Sequence, residues 1–287
     1  MARGSILARV ACLTVALQCT LIVLPRNAQS QTSPATRVLG TAQSEDEFEA
    51  YREVLTASDA PAVTIAAEKF LKTYPNSGLA PYVHQSAVRA YYQLGEMAQA
   101  VQHAEIALQD LPGNAVLLSL VSAAYLEQAQ WEKAVDRARA ALIAIAKLDP
   151  PAGVDRAAWQ AQADALASNV HLTLGSALLE MSQRATQGPA SATWLKEATS
   201  ELRQALGSNP GSDMASFRLA SALDAAHDTA GAIHYYAWTS ALGASQAQVA
   251  QIKLTELCHS DSHLVSDAMA SARSDIQLST DRLRGRK

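Results

Sequence analysis

The stretch from Tyr91 to Pro112, YYQLGEMAQAVQHAEIALQDLP, decides the fold. Gly95 divides it into two helical runs, and Pro112 closes the second. In that second run Val101, Ala104, Ala107, Leu108 and Leu111 recur at helical spacing and form one apolar stripe. Ala100, Ala104 and Ala107 stand where an isolated helix pair would need bulk. Small residues let neighbouring axes approach closely, while Leu108 fills the space between them. A pair with so thin a stripe cannot bury it alone and must stack on further pairs.

The same pattern returns after 34 residues: Tyr91 to Tyr125, Ala100 to Ala134, Val101 to Val135, Ala104 to Ala138 and Ala107 to Ala141. A helix-turn-helix unit with that period is the signature of the tetratricopeptide repeat. The segment AVRAYYQLGEMAQAVQHAEIALQDLPGN resembles that family explicitly, with Tyr91 at the first-helix aromatic, Gly95 at the turn, Ala100 and Ala107 at the helix contacts and Pro112 at the end. It departs from the pattern twice, with Ala87-Val88 for the family's Leu-Gly pair and Ala104 for its later aromatic.

Further units follow. One runs from Ala115 to Pro150 with Ala129 at its turn. A later pair carries Leu174-Gly175 and Leu178 in HLTLGSALLEMSQ, then Ala198, Ala205 and Pro210, with an insertion around RATQGPASAT read as a loop. The next carries Leu219-Ala220, Leu223, Ala232 and Tyr236, and Ala198 to Ala232 and Leu202 to Tyr236 are again 34 apart. Upstream, EFEAYREVLTASDAPAVTIAAEKFLKTYPNS is a weaker unit with Phe70 and Pro75 in register. The resemblance implies an all-α, right-handed superhelical solenoid of about five helix pairs over residues 44–242. Residues 243–278 read as C-terminal capping helices, with Val249, Ile252, Leu254 and Leu257 apolar in the first, and 279–287 as a flexible basic tail.

Composition agrees with this. The chain is rich in alanine, the best helix former, and only 5% aromatic, whereas strands favour aromatic and β-branched residues. Residues 1–30 have the layout of a secretory signal peptide: Arg3 and Arg9, the apolar run Val10–Leu24, Pro25, then Ala28-Gln29-Ser30. Cleavage there makes Gln31 the first mature residue and 31–43 a disordered linker, in a periplasmic or secreted protein. An uncleaved membrane anchor is the alternative, although the run is short against the ~20 residues of a span. Without Arg3, Arg9 and Arg26, the 23 basic residues become 20 against 27 acidic ones, a net charge of −7. Such a surface disfavours nucleic acid. Cys12 and Cys19 leave with the leader, so the remaining Cys258 has no partner for an internal disulfide.

Chemistry-bearing motifs are sparse. No Gly-rich phosphate loop, Cys-x-x-Cys or His-Glu-x-x-His occurs, so neither an enzyme nor a cofactor is expected. The one ligand-like cluster is CHSDSH, with Cys258, His259, Asp261 and His263. Thiolate and imidazole donors suit zinc or copper, which makes a metal-binding protein or enzyme the alternative reading. Against it, Ser260, Asp261 and Ser262 read as a break and N-cap before the last helix.

The first helix of each pair is expected to line a concave groove, at Tyr82, Gln85, Arg89, Tyr92, Gln93, Leu126, Glu127, Glu180, Phe217 and Asp224, with Ser119, Leu172, Ser176, Leu179 and Ser221 among them. Chaperone-binding members of the family carry Lys and Asn here to clamp a carboxylate; this groove has mainly Gln, Ser, Leu and Glu. A mixed apolar and mildly acidic groove suits an amphipathic or extended protein segment. The junction FLKTYPNSGLAPYV, from Phe70, looks like those of bacterial envelope repeat proteins. Together these features imply a scaffold in the cell envelope that holds a partner polypeptide.

Overall fold

The computed structural model describes residues 38–185 and 188–285. The expected leader and the first part of the expected linker lie outside them. The described residues form twelve α-helices and no strand. Five consecutive pairs are α1 (Glu45–Thr56) with α2 (Ala60–Thr73), α3 (Ala80–Leu94) with α4 (Met97–Asp110), α5 (Ala115–Glu127) with α6 (Trp131–Ile145), α7 (Arg156–Arg184) with α8 (Pro189–Ser208), and α9 (Asp213–Ala225) with α10 (Thr229–Leu242). Two more helices follow, α11 (Ala247–Leu257) and α12 (Ser262–Arg284).

Side-chain caps start six of the helices after α1. Asp59, Asn114, Asp155, Ser212, Asp228 and Asp261 accept hydrogen bonds from the first-turn amides of α2, α5, α7, α9, α10 and α12. The turns inside the α3–α4, α5–α6 and α9–α10 pairs share one design. Gly95 is left-handed at φ 76°, with Gly95 N–H donating to Tyr92 O at 3.1 Å and Glu96 N–H to Tyr91 O at 2.9 Å. This is the Schellman arrangement, and it recurs at Ala129 (φ 56°) and His227 (φ 60°). A side chain in this region costs about 1 kcal/mol. We therefore expect Ala129→Gly to stabilise the protein by up to about 1 kcal/mol, and Gly95→Ala to destabilise it by a similar amount. A Cβ on Gly95 would meet nothing within 4 Å, so that cost is conformational alone. Urea midpoints of the two variants measure both signs; a shift in the same direction for both would contradict the account.

The small residues do what their spacing implies. Ala104, Ala107, Ala134, Ala138, Ala141, Ala198, Ala205 and Ala232 have no exposed surface. One apolar core runs from Val88 in α3 to Ala272 in α12, and a second joins Val54, Phe70, Leu79 and Val83 in the first three helices. Between pairs, polar clasps reinforce the stack. Glu105 of α4 accepts from Tyr125 Oη of α5 at 2.8 Å and from Arg137 Nε of α6 at 3.1 Å.

Three differences from the sequence reading stand out. The RATQGPASAT insertion is mostly helical: α7 runs to Arg184, and Pro189, whose ring fixes a helical φ, is the first residue of α8. Ser182 and Ser191 tie the two helices there, each hydroxyl donating to the other's carbonyl at 3.0 and 2.9 Å. Val249 and Ile252, read as part of an apolar face, are 46% and 54% exposed, because α11 turns Ala250, Leu254 and Cys258 inward instead. Residues 279–284, expected in the tail, continue α12, where Thr280 Oγ1 bonds back to Ile276 O and Gln277 reaches Asp281. At the other end, residues 38–43 are tied in by the Gly40 N–H to Gly78 O bond at 2.9 Å and by Ala42 on the core.

Candidate functional site

The stacking defines an inner face. α1, α3, α5 and α7 each pack directly on the next odd-numbered helix, and no comparable packing joins α2, α4, α6 and α8; at the C-terminal end it is α10 that packs on α12. The odd helices are therefore the closer set, and the stack bends toward them. On the outer side the wider gaps are bridged by long charged side chains, Glu105 to Arg137 and Arg139 to Glu197 at 2.7 Å.

The ten expected groove residues divide by how they are engaged. Tyr82 is half-buried against Gly40, whose Cβ position lies 3.7 Å from its hydroxyl. Gln85 accepts from Asn114 Nδ2 at 3.0 Å and so couples α3 to the cap of α5. Leu126 packs on the main core, and Phe217 meets Tyr236 edge-on at 5.8 Å. Glu180 of α7 pairs with Arg218 of α9 at 2.8 Å. Asp224 is half-buried near Tyr236, whose phenol pKa is raised by burial first and, less, by that carboxylate. Tyr92 is half-buried. Arg89 is half-buried with no ion pair among the described residues, and Gln93 and Glu127 are exposed. Ser176 and Leu179, also expected on the groove, are buried, because α7 is packed between α5 and α9.

The C-terminal cluster does not assemble into a metal site. Cys258 faces the core at 1% exposed, and its thiol pKa is raised by burial and by Asp261. His259 lies in a left-handed turn at φ 52°. The Asp261 carboxylate caps α12, accepting from His263 N at 2.8 Å. No group of three or more His, Cys, Asp or Glu side chains placed to hold a metal occurs among the described residues.

Two polar groupings escape a reading by repeat position. Arg218 joins Glu180 across the inner face; opposite charges on successive inner helices were the available signal. His84, His103, Tyr91 and Glu68 converge between α2, α3 and α4, with the His84 and His103 Nδ1 atoms 2.8 Å apart. Neither histidine lies in a motif, so nothing in the sequence joins them. An open cleft of about 510 Å³ lies between α1 and α2 at the N-terminal end, lined by Asp46, Glu49, Glu53, Lys69, Phe70 and Tyr74. It is spanned by the Lys69–Glu53 pair at 3.0 Å. No helix among the described residues is long and apolar enough to cross a membrane.

No family model matches the sequence, and no curated protein matches it significantly. Solved structures match its fold. PilF of Pseudomonas aeruginosa aligns with a TM-score of 0.52 at 17% identity, over 85% of this chain and 100% of that one. MamA 41-end from Desulfovibrio magneticus RS-1 gives 0.47 at 14%, over 77% and 99%. YrrB, titled a TPR protein with an unusual peptide-binding site, gives 0.45 at 15%, over 76% and 99%. At such identities the likeness is one of fold, and the resemblance carried by the 34-residue period holds at that level.

Proposed function

We propose that this chain, a solenoid with the tetratricopeptide repeat fold, is a non-enzymatic scaffold of the bacterial cell envelope that holds a partner polypeptide along its inner face. One observation carries the reading: the inner face is continuous over the odd helices, and Arg89, Gln93 and Glu127 on it are not used to hold repeats together. Unused polar groups beside half-buried Tyr92 and Leu126 suit an extended or amphipathic segment, which needs apolar contacts and a few orienting hydrogen bonds. Export rests on the leader-like residues 1–30 and the envelope-type junction from Phe70.

A photo-crosslinking residue at Gln93 is expected to trap a discrete polypeptide adduct in intact cells, and one at Ile143, exposed on α6, is not. Arg89→Glu with Tyr92→Ala is expected to abolish the Gln93 adduct while circular dichroism stays unchanged. Equal adducts at both positions, or an adduct indifferent to the double variant, would sink the groove assignment. Mass spectrometry of the purified protein checks export separately, with Gln31 expected at the N-terminus.

A further inference from the structure

We propose that His84 and His103 form a chelating site for a borderline divalent cation of the Zn²⁺, Ni²⁺ and Cu²⁺ class, at the junction of α2, α3 and α4. Their Nδ1 atoms face each other across 2.8 Å. Two imidazole nitrogens on one tetrahedral Zn²⁺, each about 2.0–2.1 Å from it, stand roughly 3.3 Å apart. Binding therefore takes an opening of a few tenths of an ångström and a change of tautomer at His84, whose Nδ1–H donates to His103 Nδ1: the His84 proton moves to its Nε2, and both Nδ1 lone pairs are then turned to the ion.

The surroundings prepare His103 for that role. The Glu68 Oε1 atom lies 3.0 Å from its Nε2, a carboxylate contact that favours the ring proton on Nε2 and leaves the lone pair on Nδ1. A carboxylate on the far nitrogen is the outer shell that metal-bound histidines usually have. Tyr91 Oη donates to the same Glu68 oxygen at 3.0 Å, and its ring stacks on His103 at 5.2 Å, so the imidazole is held in orientation. Two protein donors leave the other coordination positions to water.

The joint itself does not require imidazoles. A like three-way contact recurs one repeat on, where Tyr125 and Arg137, 34 residues after Tyr91 and His103, meet Glu105, 37 residues after Glu68, and Leu118 stands in the place of His84. Arginine and leucine thus meet the structural demand, and what the two histidines add is a pair of converging nitrogen donors. The site is separate from the inner-face reading: His84 and Arg89 lie roughly 140° apart around α3.

Isothermal titration of the full chain, carrying no histidine tag, with ZnCl₂ and then NiCl₂ near neutral pH tests the site. One saturable equivalent is expected, weakening at about pH 5.5 as protons compete. His84→Leu and His103→Arg install the residues used one repeat later; each should weaken binding at least tenfold with helicity unchanged. Glu68→Gln should weaken it by about tenfold, as outer-shell changes do, and His259→Ala with His263→Ala should leave it unaltered. The site is overturned if no saturable binding occurs, if His84→Leu and His103→Arg bind as the unaltered chain does, or if only the His259/His263 variant loses binding. Should His103→Arg fail to fold, half-buried His84 decides the matter through His84→Leu.

Discussion

Gly175→Val and Leu202→Ala are each expected to destabilise the protein by about 3 kcal/mol, and the double variant by at least about 2 kcal/mol less than their sum. Gly175 sits where α7 crosses α8. A Cβ there would lie 2.6 Å from Leu202 Cγ and 3.1 Å from the Ala198 carbonyl oxygen. Leu202 has no exposed surface, so its side chain has nowhere to retreat. Valine adds two more methyl groups at the same point, and the helices must separate. Leu202→Ala does the reverse and leaves a cavity. Together they move bulk from α8 to α7, and another repeat already has that arrangement: Val88 on α3 and Ala104 on α4 occupy the corresponding positions, both buried. Thermal melts of the three variants measure the coupling. Strict additivity would show that the two positions do not share one space.

The Val88/Ala104 pair also shows how far the sequence could be read. Taken alone, Val88 and Ala104 look like departures from the repeat, since the family has a small residue at the first position and an aromatic at the second. Val88 with Ala104 and Gly175 with Leu202 divide similar bulk across the helix crossing in opposite senses, which no single position reveals. Periodic features were legible because they depend on local backbone chemistry: Gly95 and Ala129, 34 residues apart, adopt the same left-handed turn. The lengths of α7 and α8 were not, because a helix extends wherever start signals such as the Asp155 cap and a first-turn Pro189 permit, whatever the repeat. The inner face was legible as a set of positions. The sharing of its members between packing and solvent was not, since Glu180 is engaged only because Arg218 lies on a helix distant in sequence. Pairings such as His84 with His103 join different helices, and their approach is fixed by the crossing of α3 and α4.

Phe70→Ala is expected to cost about 3–5 kcal/mol locally and to release the first helix pair without unfolding the rest. Phe70 is 1% exposed and is the largest side chain of the N-terminal core, with Tyr74 at 5.3 Å and Tyr51 at 6.3 Å between ring centroids. That core is separate from the one that begins at Val88. In a stack where each pair contacts only its neighbours, an end pair contributes its own stability and a single interface. Losing several kcal/mol from that sum takes the pair below its folding threshold, while α5 to α10 retain every contact they had. Hydrogen exchange should therefore show protection lost over residues 45–73 and preserved over 115–242. Leu202→Ala, of similar size but with neighbours on both sides, should instead lower protection across α7, α8 and the helices flanking them. If Phe70→Ala abolished protection along the whole chain, the two cores would have to behave as one cooperative unit, and the boundary between them would carry no energetic meaning.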